Sequence, residues 1–340
     1  EAEAAYDTAK TQYRAALNSA DDALEDCADA VDTAYEAYLD AQVTLLPHKT
    51  VTREELYQHL AEADALLTDY QQVDTELLEH APRLQCVSLL STGYNVVDVP
   101  AAQKAGVAVC HVREYCTQEV AEHTMALMLA LVRNLRPYVT AVEQGIWEFD
   151  RVSRASRLEG QTLCLFGMGK ISRAVARRAQ AFGLHVTAVS QHTSQEEAQK
   201  LGIQLVTPQQ AQETADIISN HMALTPETYH YFNREFFSGL QRAPIFLNLG
   251  RGGSVNETDL AEALDQGWVS AAGLDLLWKE NPELAGHPLL GRENVIITPH
   301  AGFYSETSLR EMIRIACENL IYCLRREDDR VDDYVLPPNR

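Results

Sequence analysis

Positive charge is what this 340-residue chain has least of: 28 lysines and arginines stand against 49 aspartates and glutamates, a formal net charge of −21. Lysine is scarce, and arginine carries most of what positive charge there is. A field of that sign repels nucleic acid and anionic lipid, so no nucleic-acid partner is expected and an anionic substrate needs a local positive site. Long apolar runs are missing too. The most apolar helical stretch, Thr124 to Val132, is far shorter than the roughly 20 residues that span a bilayer, and the start of the chain shows no basic-then-apolar signal pattern. No membrane partner is expected, and the localisation that follows is cytoplasmic. The seven cysteines (27, 86, 110, 116, 164, 317, 323) include no C-x-x-C pair. The C-x5-C pairs Cys110/Cys116 and Cys317/Cys323 have no companion ligands at metal spacing, so no metal is assigned and reduced, buried thiols are expected. With 46% apolar and 23% charged residues, the rest is ordinary globular composition at a length that suits two domains.

Residues 1 to 40 are alanine-rich and acidic, and Tyr6, Tyr13, Leu17, Leu24, Val31 and Tyr38 recur at helical spacing, which reads as one long helix or a helical pair. From about residue 42, short apolar runs alternate with helical segments: Val43 to Leu46, Ala65 to Thr68, Leu84 to Leu90 and Val107 to Cys110. That is a small α/β unit. Residues 117 to 145 read as helix, with an interruption expected near Pro137. Strands then recur at 162–166, 185–189, 203–206, 216–219, 245–248, 270–274 and 294–298, mostly separated by helical patterns. The fold class expected is α/β: a doubly wound parallel sheet of Rossmann type beside a smaller α/β domain. A polar, largely helical tail over 304–328 follows.

Within the stretch "TLCLFGMGKISRAVARRAQAFG" (162–183), four apolar residues precede Gly167 and Gly169, and Ile171, Val175 and Ala179 then form a helical stripe. Strand, tight turn and helix follow one another. The backbone N–H groups and dipole at such a helix start receive a pyrophosphate, so Gly167, Met168, Gly169, Lys170 and Ile171 are the candidate cofactor contacts. The third glycine of the pattern is Ser172, small enough for helix and strand to pack closely. Three polar positions lie at later strand ends, where open α/β sheets bind ligands. Arg251, in "NLGRGG", has the planar fork that grips a carboxylate. His300, in "TPHAG", is the natural acid/base near neutral pH, and Asp275 or Glu280 is available to orient it. A carboxylate grip, an imidazolium to protonate a carbonyl and a dinucleotide to deliver hydride make a 2-oxo acid reductase. About 20 residues past the glycines, where NAD sites carry an acid for the ribose 2′-hydroxyl, stands Ser190, followed by His192, Thr193 and Ser194. Nothing there repels a 2′-phosphate. NADPH is therefore expected to serve at least comparably with NADH, with Ser190 and His192 among the contacts.

In combination, "STGYNVVD" (91–98), "YCTQEVAEHTMALMLALVR" (115–133), "LEGQTLCLFGMGKIS" (158–172), "NLGRGGSVNETDLAEAL" (248–264), "AAGLDLLWKEN" (271–281) and "NVIITPHAG" (294–302) resemble the D-isomer-specific 2-hydroxyacid dehydrogenases, from about Val43 to Glu318. The resemblance implies that Arg251 binds the substrate carboxylate and carbonyl, that Glu280 orients and charges His300, and that His300 exchanges the proton. It implies that amides at Thr92 and Gly93 hold the carboxylate from the opposite domain, and that Asp275 binds the nicotinamide carboxamide. It also implies a substrate domain of 1–113 with 303–340, a dinucleotide domain of 114–302 closing over a cleft, and a homodimer built through the helices of 117–145. His123, inside those helices, is assigned to packing or the interface. The chain departs from the family at Asn281 and Ala223, where proline is usual. Glyoxylate or hydroxypyruvate is the expected substrate type. "TPHAGFYSE" and "YCTQEVAEH" are also similar to the C-terminal-binding-protein corepressors, so a nucleotide-sensing binding protein of the same fold is the alternative.

Overall fold

The computed structural model describes residues 52–69, 71–279 and 282–338. The helical reading of residues 1 to 40, the Val43 to Leu46 run and the Glu280–Asn281 pair lie outside the described residues. The chain forms two compact units, with the boundaries at Tyr115/Cys116 and Tyr304/Ser305.

The first unit opens with helix α1 (Arg53–Leu60), whose start is fixed by a reciprocal box between Thr52 and Glu55. Strand β1 (Ala65–Thr68), helix α2 (Thr75–Glu79), strand β2 (Cys86–Leu89), helix α3 (Val99–Ala105) and strand β3 (Ala108–Cys110) follow. Asp74 and Asp98 cap α2 and α3, each accepting a backbone N–H of the first turn. β1, β2 and β3 pair in parallel, and β2 is buried throughout.

The chain then enters the second unit through helices α4 (Thr117–Val132) and α5 (Leu135–Glu143). The break between them falls at Asn134, which takes a left-handed φ of 52°, and not at Pro137. Pro137 is the third residue of α5, where its missing N–H would have had no intrahelical partner. Next come β4 (Thr162–Phe166), α6 (Lys170–Ala181), β5 (His185–Val189), α7 (Gln195–Lys200), β6 (Gln204–Leu205), α8 (Pro208–Thr214) and β7 (Ile217–Asn220). α9 (Arg234–Ser238), β8 (Ile245–Asn248), α10 (Glu257–Asp265), β9 (Ala271–Leu274) and β10 (Val295–Ile297) complete it. The seven strands form one sheet in the order β10-β9-β8-β7-β4-β5-β6, every pair parallel. Side chains alternate across it. Leu163 and Leu165 join Met128, Leu131 and Val175 on one face, while Cys164 and Phe166 join Ile218, Phe232 and Phe246 on the other. Burial on both faces is why these strands read as continuous apolar runs.

The chain returns to the first unit through α11 (Glu306–Arg325), which buries Met312, Ala316, Leu320 and Ile321, and ends with β11 (Tyr334–Leu336). β11 lies antiparallel on β3, giving a sheet order of β1-β2-β3-β11. The tail is therefore more than a polar helix. A three-residue strand on a sheet edge has too little periodicity to be read from sequence.

Candidate active site

From β4 the chain steps outward to β5 and β6, then crosses back to β7 on the other side. The crevice between β4 and β7 is thus the point where the winding reverses, the position at which such sheets take a nucleotide. Gly167 follows β4 with φ +89°, and a Cβ there would lie 3.0 Å from the His221 carbonyl oxygen. Only glycine fits. Gly169 heads α6 without any side-chain cap, and a Cβ on it would meet nothing within 4 Å. The helix start is therefore unobstructed, and its N–H groups fit a pyrophosphate. Met168 instead buries its side chain in the core, and Lys170 is exposed. Ser172, in the third glycine position, is fully buried, and its hydroxyl has no partner among the described residues. What the position requires is small size.

Past β5, the Ser190 hydroxyl bonds that of Thr193 at 2.9 Å and accepts the Thr193 N–H at 3.3 Å, closing a polar turn. His192 is exposed beside it, and no carboxylate stands at the strand end. Past β7, His221 bonds Ser219 through Nε2 at 2.9 Å, and burial pushes its imidazole down to about 4. It is neutral at physiological pH.

Arg251 stands three residues past β8, and its turn is built by buried polar side chains that sequence reading missed. Asn220 donates to Asn248 Oδ1 and to the Ser254 hydroxyl, both at 2.8 Å. Asn248 and Ser254 in turn donate to the Arg251 carbonyl, at 3.1 and 2.6 Å. Gly252 closes the turn, since a Cβ there would sit 1.9 Å from the Leu277 carbonyl oxygen. The guanidinium is partly exposed and donates to the Gly250 carbonyl at 2.9 Å.

His300 stands three residues past β10 with φ +54°, a backbone state that disfavours residues with a Cβ. Its N–H reaches the Asp275 carbonyl at 2.7 Å, and the Asp275 carboxylate accepts the N–H groups of Ala301 and Gly302, each at 2.9 Å. The Thr298 hydroxyl donates to Asp275 Oδ1 at 2.5 Å and accepts from His123 Nε2 at 2.9 Å. His123, on α4, is thus the end of a relay that braces the His300 loop. Burial pushes the Asp275 carboxyl up, but the bonds from His123, Thr298, Gly302 and Ala301 outweigh that and hold it below the ordinary carboxylate range. Most of its bonding capacity is taken by its own chain.

In the first unit, the turn after β2 holds Thr92 and Gly93. The His111 ring bonds the Thr92 carbonyl at 2.8 Å, and the Ser91 hydroxyl donates to the Gly93 carbonyl at 2.8 Å. No helix among the described residues is long and apolar enough to cross a membrane.

A seven-stranded parallel sheet with a glycine turn at its reversal point, and an arginine and a histidine on the carboxyl ends of nearby strands, define a dinucleotide-binding domain of oxidoreductase type. Known proteins sharpen the class. The model for the NAD binding domain of D-isomer specific 2-hydroxyacid dehydrogenases matches residues 125–302. D-3-phosphoglycerate dehydrogenase of Methanocaldococcus jannaschii is 34% identical over 279 residues, 82% of this chain and 53% of that protein. Glyoxylate reductase of Korarchaeum cryptofilum is 32% identical over 294 residues, 85% of this chain and 85% of that one. The crystal structure of D-lactate dehydrogenase from Aquifex aeolicus, complexed with NAD and lactic acid, matches with a TM-score of 0.81 at 27% identity, covering 92% of this chain and 97% of that one. The chain belongs to the D-isomer specific 2-hydroxyacid dehydrogenase family.

Proposed function

We propose that this protein is a nicotinamide-dependent reductase of small 2-oxo acids, of the glyoxylate or hydroxypyruvate type. The observation that carries the proposal is the alignment of strand ends. Gly167 follows β4, Arg251 follows β8, Asp275 follows β9 and His300 follows β10, all at the carboxyl edge of one sheet. β8 and β10 flank β9, so at about 4.8 Å between strands the two reacting side chains spring from points about 10 Å apart. A two- or three-carbon acid fits between such groups. Arg251 holds the carboxylate through its fork, and His300 gives its proton to the carbonyl oxygen. The bound cofactor supplies the hydride. Glu280 is proposed to orient His300, and the Thr92–Gly93 turn to donate backbone N–H groups to the substrate carboxylate.

The polar, carboxylate-free turn at Ser190 supports acceptance of NADPH at least comparably with NADH. A cytoplasmic location is supported by Cys86, Cys110, Cys164 and Cys317, which are buried and held in no disulfide. A homodimer is supported by α5, which buries none of its residues and exposes Leu135, Val139 and Val142 along one face, with Trp147 and Phe149 exposed at 88% and 85% just beyond. The test is a panel of 2-oxo acids with each reduced cofactor, followed by the loss of nicotinamide absorbance. Turnover of a small 2-oxo acid is expected. Tight cofactor binding without turnover of any acid would instead support the nucleotide-sensing alternative.

A further inference from the structure

Three cysteines distant in sequence meet inside the first unit. Cys86 opens β2, Cys110 ends β3 and Cys323 lies in the last turn of α11, with exposures of 0%, 0% and 4%. Their sulfur atoms all lie within 4.8 Å of one another, and the Cys86 and Cys110 sulfurs are 3.7 Å apart. Neither C-x5-C pair forms this cluster. A disulfide between the two strands is disfavoured by register. Cys86 pairs with Ala108, and Cys110 with Ser88, so the two are offset by two residues along neighbouring parallel strands. With about 4.8 Å between strands and about 3.3 Å rise per residue, their Cα atoms are about 8 Å apart, beyond the roughly 7 Å a disulfide spans. An atom seated between the sulfurs has no such restriction.

The surroundings select its charge. Bonds to Cys110 and Cys323, and then burial, raise the Cys86 thiol well above its ordinary range. The bond to Cys323, burial and the Asp328 carboxylate raise Cys110 against an opposing bond from Cys86. Asp328 also accepts the Tyr334 hydroxyl at 2.7 Å, and Tyr334 packs on the cluster. Ala65 and Val331 pack against the same cluster, so the sulfurs sit among apolar groups. Three thiolates around a cuprous ion leave two negative charges in this apolar site, and around a zinc ion one, and each buried charge is costly. A trivalent centre leaves none.

We propose that Cys86, Cys110 and Cys323 form a three-sulfur binding site for a trivalent thiophilic metalloid, of which arsenous acid is the simplest form. Three As–O bonds break and three As–S bonds form, each thiol proton leaving with a hydroxide as water, and arsenic stays trivalent throughout. Entry is past β11, the three-residue edge strand whose pairing on β3 is irregular and whose Tyr334 covers the cluster. Occupation ties the end of α11 to β2 and β3.

The test uses the full chain, reduced and incubated with arsenite, then desalted. Expected are one arsenic per chain, three sulfur and no oxygen neighbours by X-ray absorption, and a Tm raised by about 5 °C or more at arsenite a hundredfold above Kd. Cys110→Ser and Cys323→Ser should each lose the three-sulfur signature, while Cys164→Ala, altering a buried thiol of the other unit, should keep it. The absorption measurement on the unaltered chain stands whether or not the variants fold. No retained arsenic, fewer than three sulfur neighbours, a signature surviving Cys323→Ser, or displacement by equimolar zinc would each overturn the assignment.

Discussion

Replacing Asp275 by asparagine separates two roles that its position permits. In the structure its Oδ1 accepts the Thr298 hydroxyl and the Ala301 N–H, and its Oδ2 accepts the Gly302 N–H. An amide has one oxygen, so whichever way it turns, its NH2 faces a backbone N–H, that of Gly302 or that of Ala301. A buried donor left without a partner costs about 1–3 kcal/mol, and each remaining bond that passes from a charged to a neutral acceptor loses about 1 kcal/mol more. The second unit should therefore lose about 3–5 kcal/mol in denaturant unfolding. The chemical consequence follows from His300, whose left-handed backbone persists only while Ala301 and Gly302 are pinned. A loosened loop misplaces the imidazole, and a displacement of about 1 Å is enough for a drop of about 10²-fold in kcat. Affinity for NADH, read by fluorescence, should stay near that of the parent if Asp275 acts through the loop. If it acts chiefly on the nicotinamide, cofactor Kd rises and unfolding is little changed. Asp275→Asn with parental unfolding and parental kcat would refute the reasoning altogether.

His300→Asn should lower kcat by about 10²–10⁴-fold with cofactor binding kept, the range for a lost general acid, and an active variant would remove His300 from the mechanism. Arg251→Lys should raise KM and lower kcat although the charge is retained, because an ammonium cannot reproduce the fork; parental constants would make the arginine a turn residue only. Ser190→Asp should shift kcat/KM toward NADH, and a parental NADH preference above about 100-fold would show that another residue discriminates. His221 has its imidazole pushed down to about 4, against about 6.5 in an unfolded chain. Between those values the unfolded chain binds the extra proton, so stability should rise with pH across that window and level off above it. His221→Gln should flatten the rise in thermal unfolding, and an unchanged slope would place the titration elsewhere.

The fold was legible wherever burial is two-sided. Strands 162–166, 185–189 and 245–248 are found where their apolar runs stand, because a parallel sheet covered on both faces leaves no polar alternation to confuse the reading. The helix break was read near its true place but from the wrong residue, for a local reason. Pro137 looks like a breaker, but in a first turn it breaks nothing, and the real break is Asn134, whose left-handed backbone lets the chain turn out of α4. β11 was missed because its evidence is its partner, β3, more than two hundred residues earlier in the chain.

The site divides along the same line. Gly167, Arg251 and His300 announce themselves because each stands at the end of an apolar strand, and a strand end is a local feature. The groups that hold them in place do not. Asn220, Asn248 and Ser254 each look like an ordinary polar residue at the end of a strand or in a turn, and only the pairing of β7 with β8 makes them one buried network around the Arg251 carbonyl. His123 reads as a helix residue until α4 places it against Thr298. Buried polar groups cost stability unless all their bonds are met, so such networks are where a fold is least tolerant of change. Ser172 stands apart from that pattern. It is buried with its hydroxyl unbonded in the place of a glycine, which shows that the nucleotide turn selects there for volume. A motif match at that position has to be judged by side-chain size, while at Gly167 it has to be judged by backbone angle.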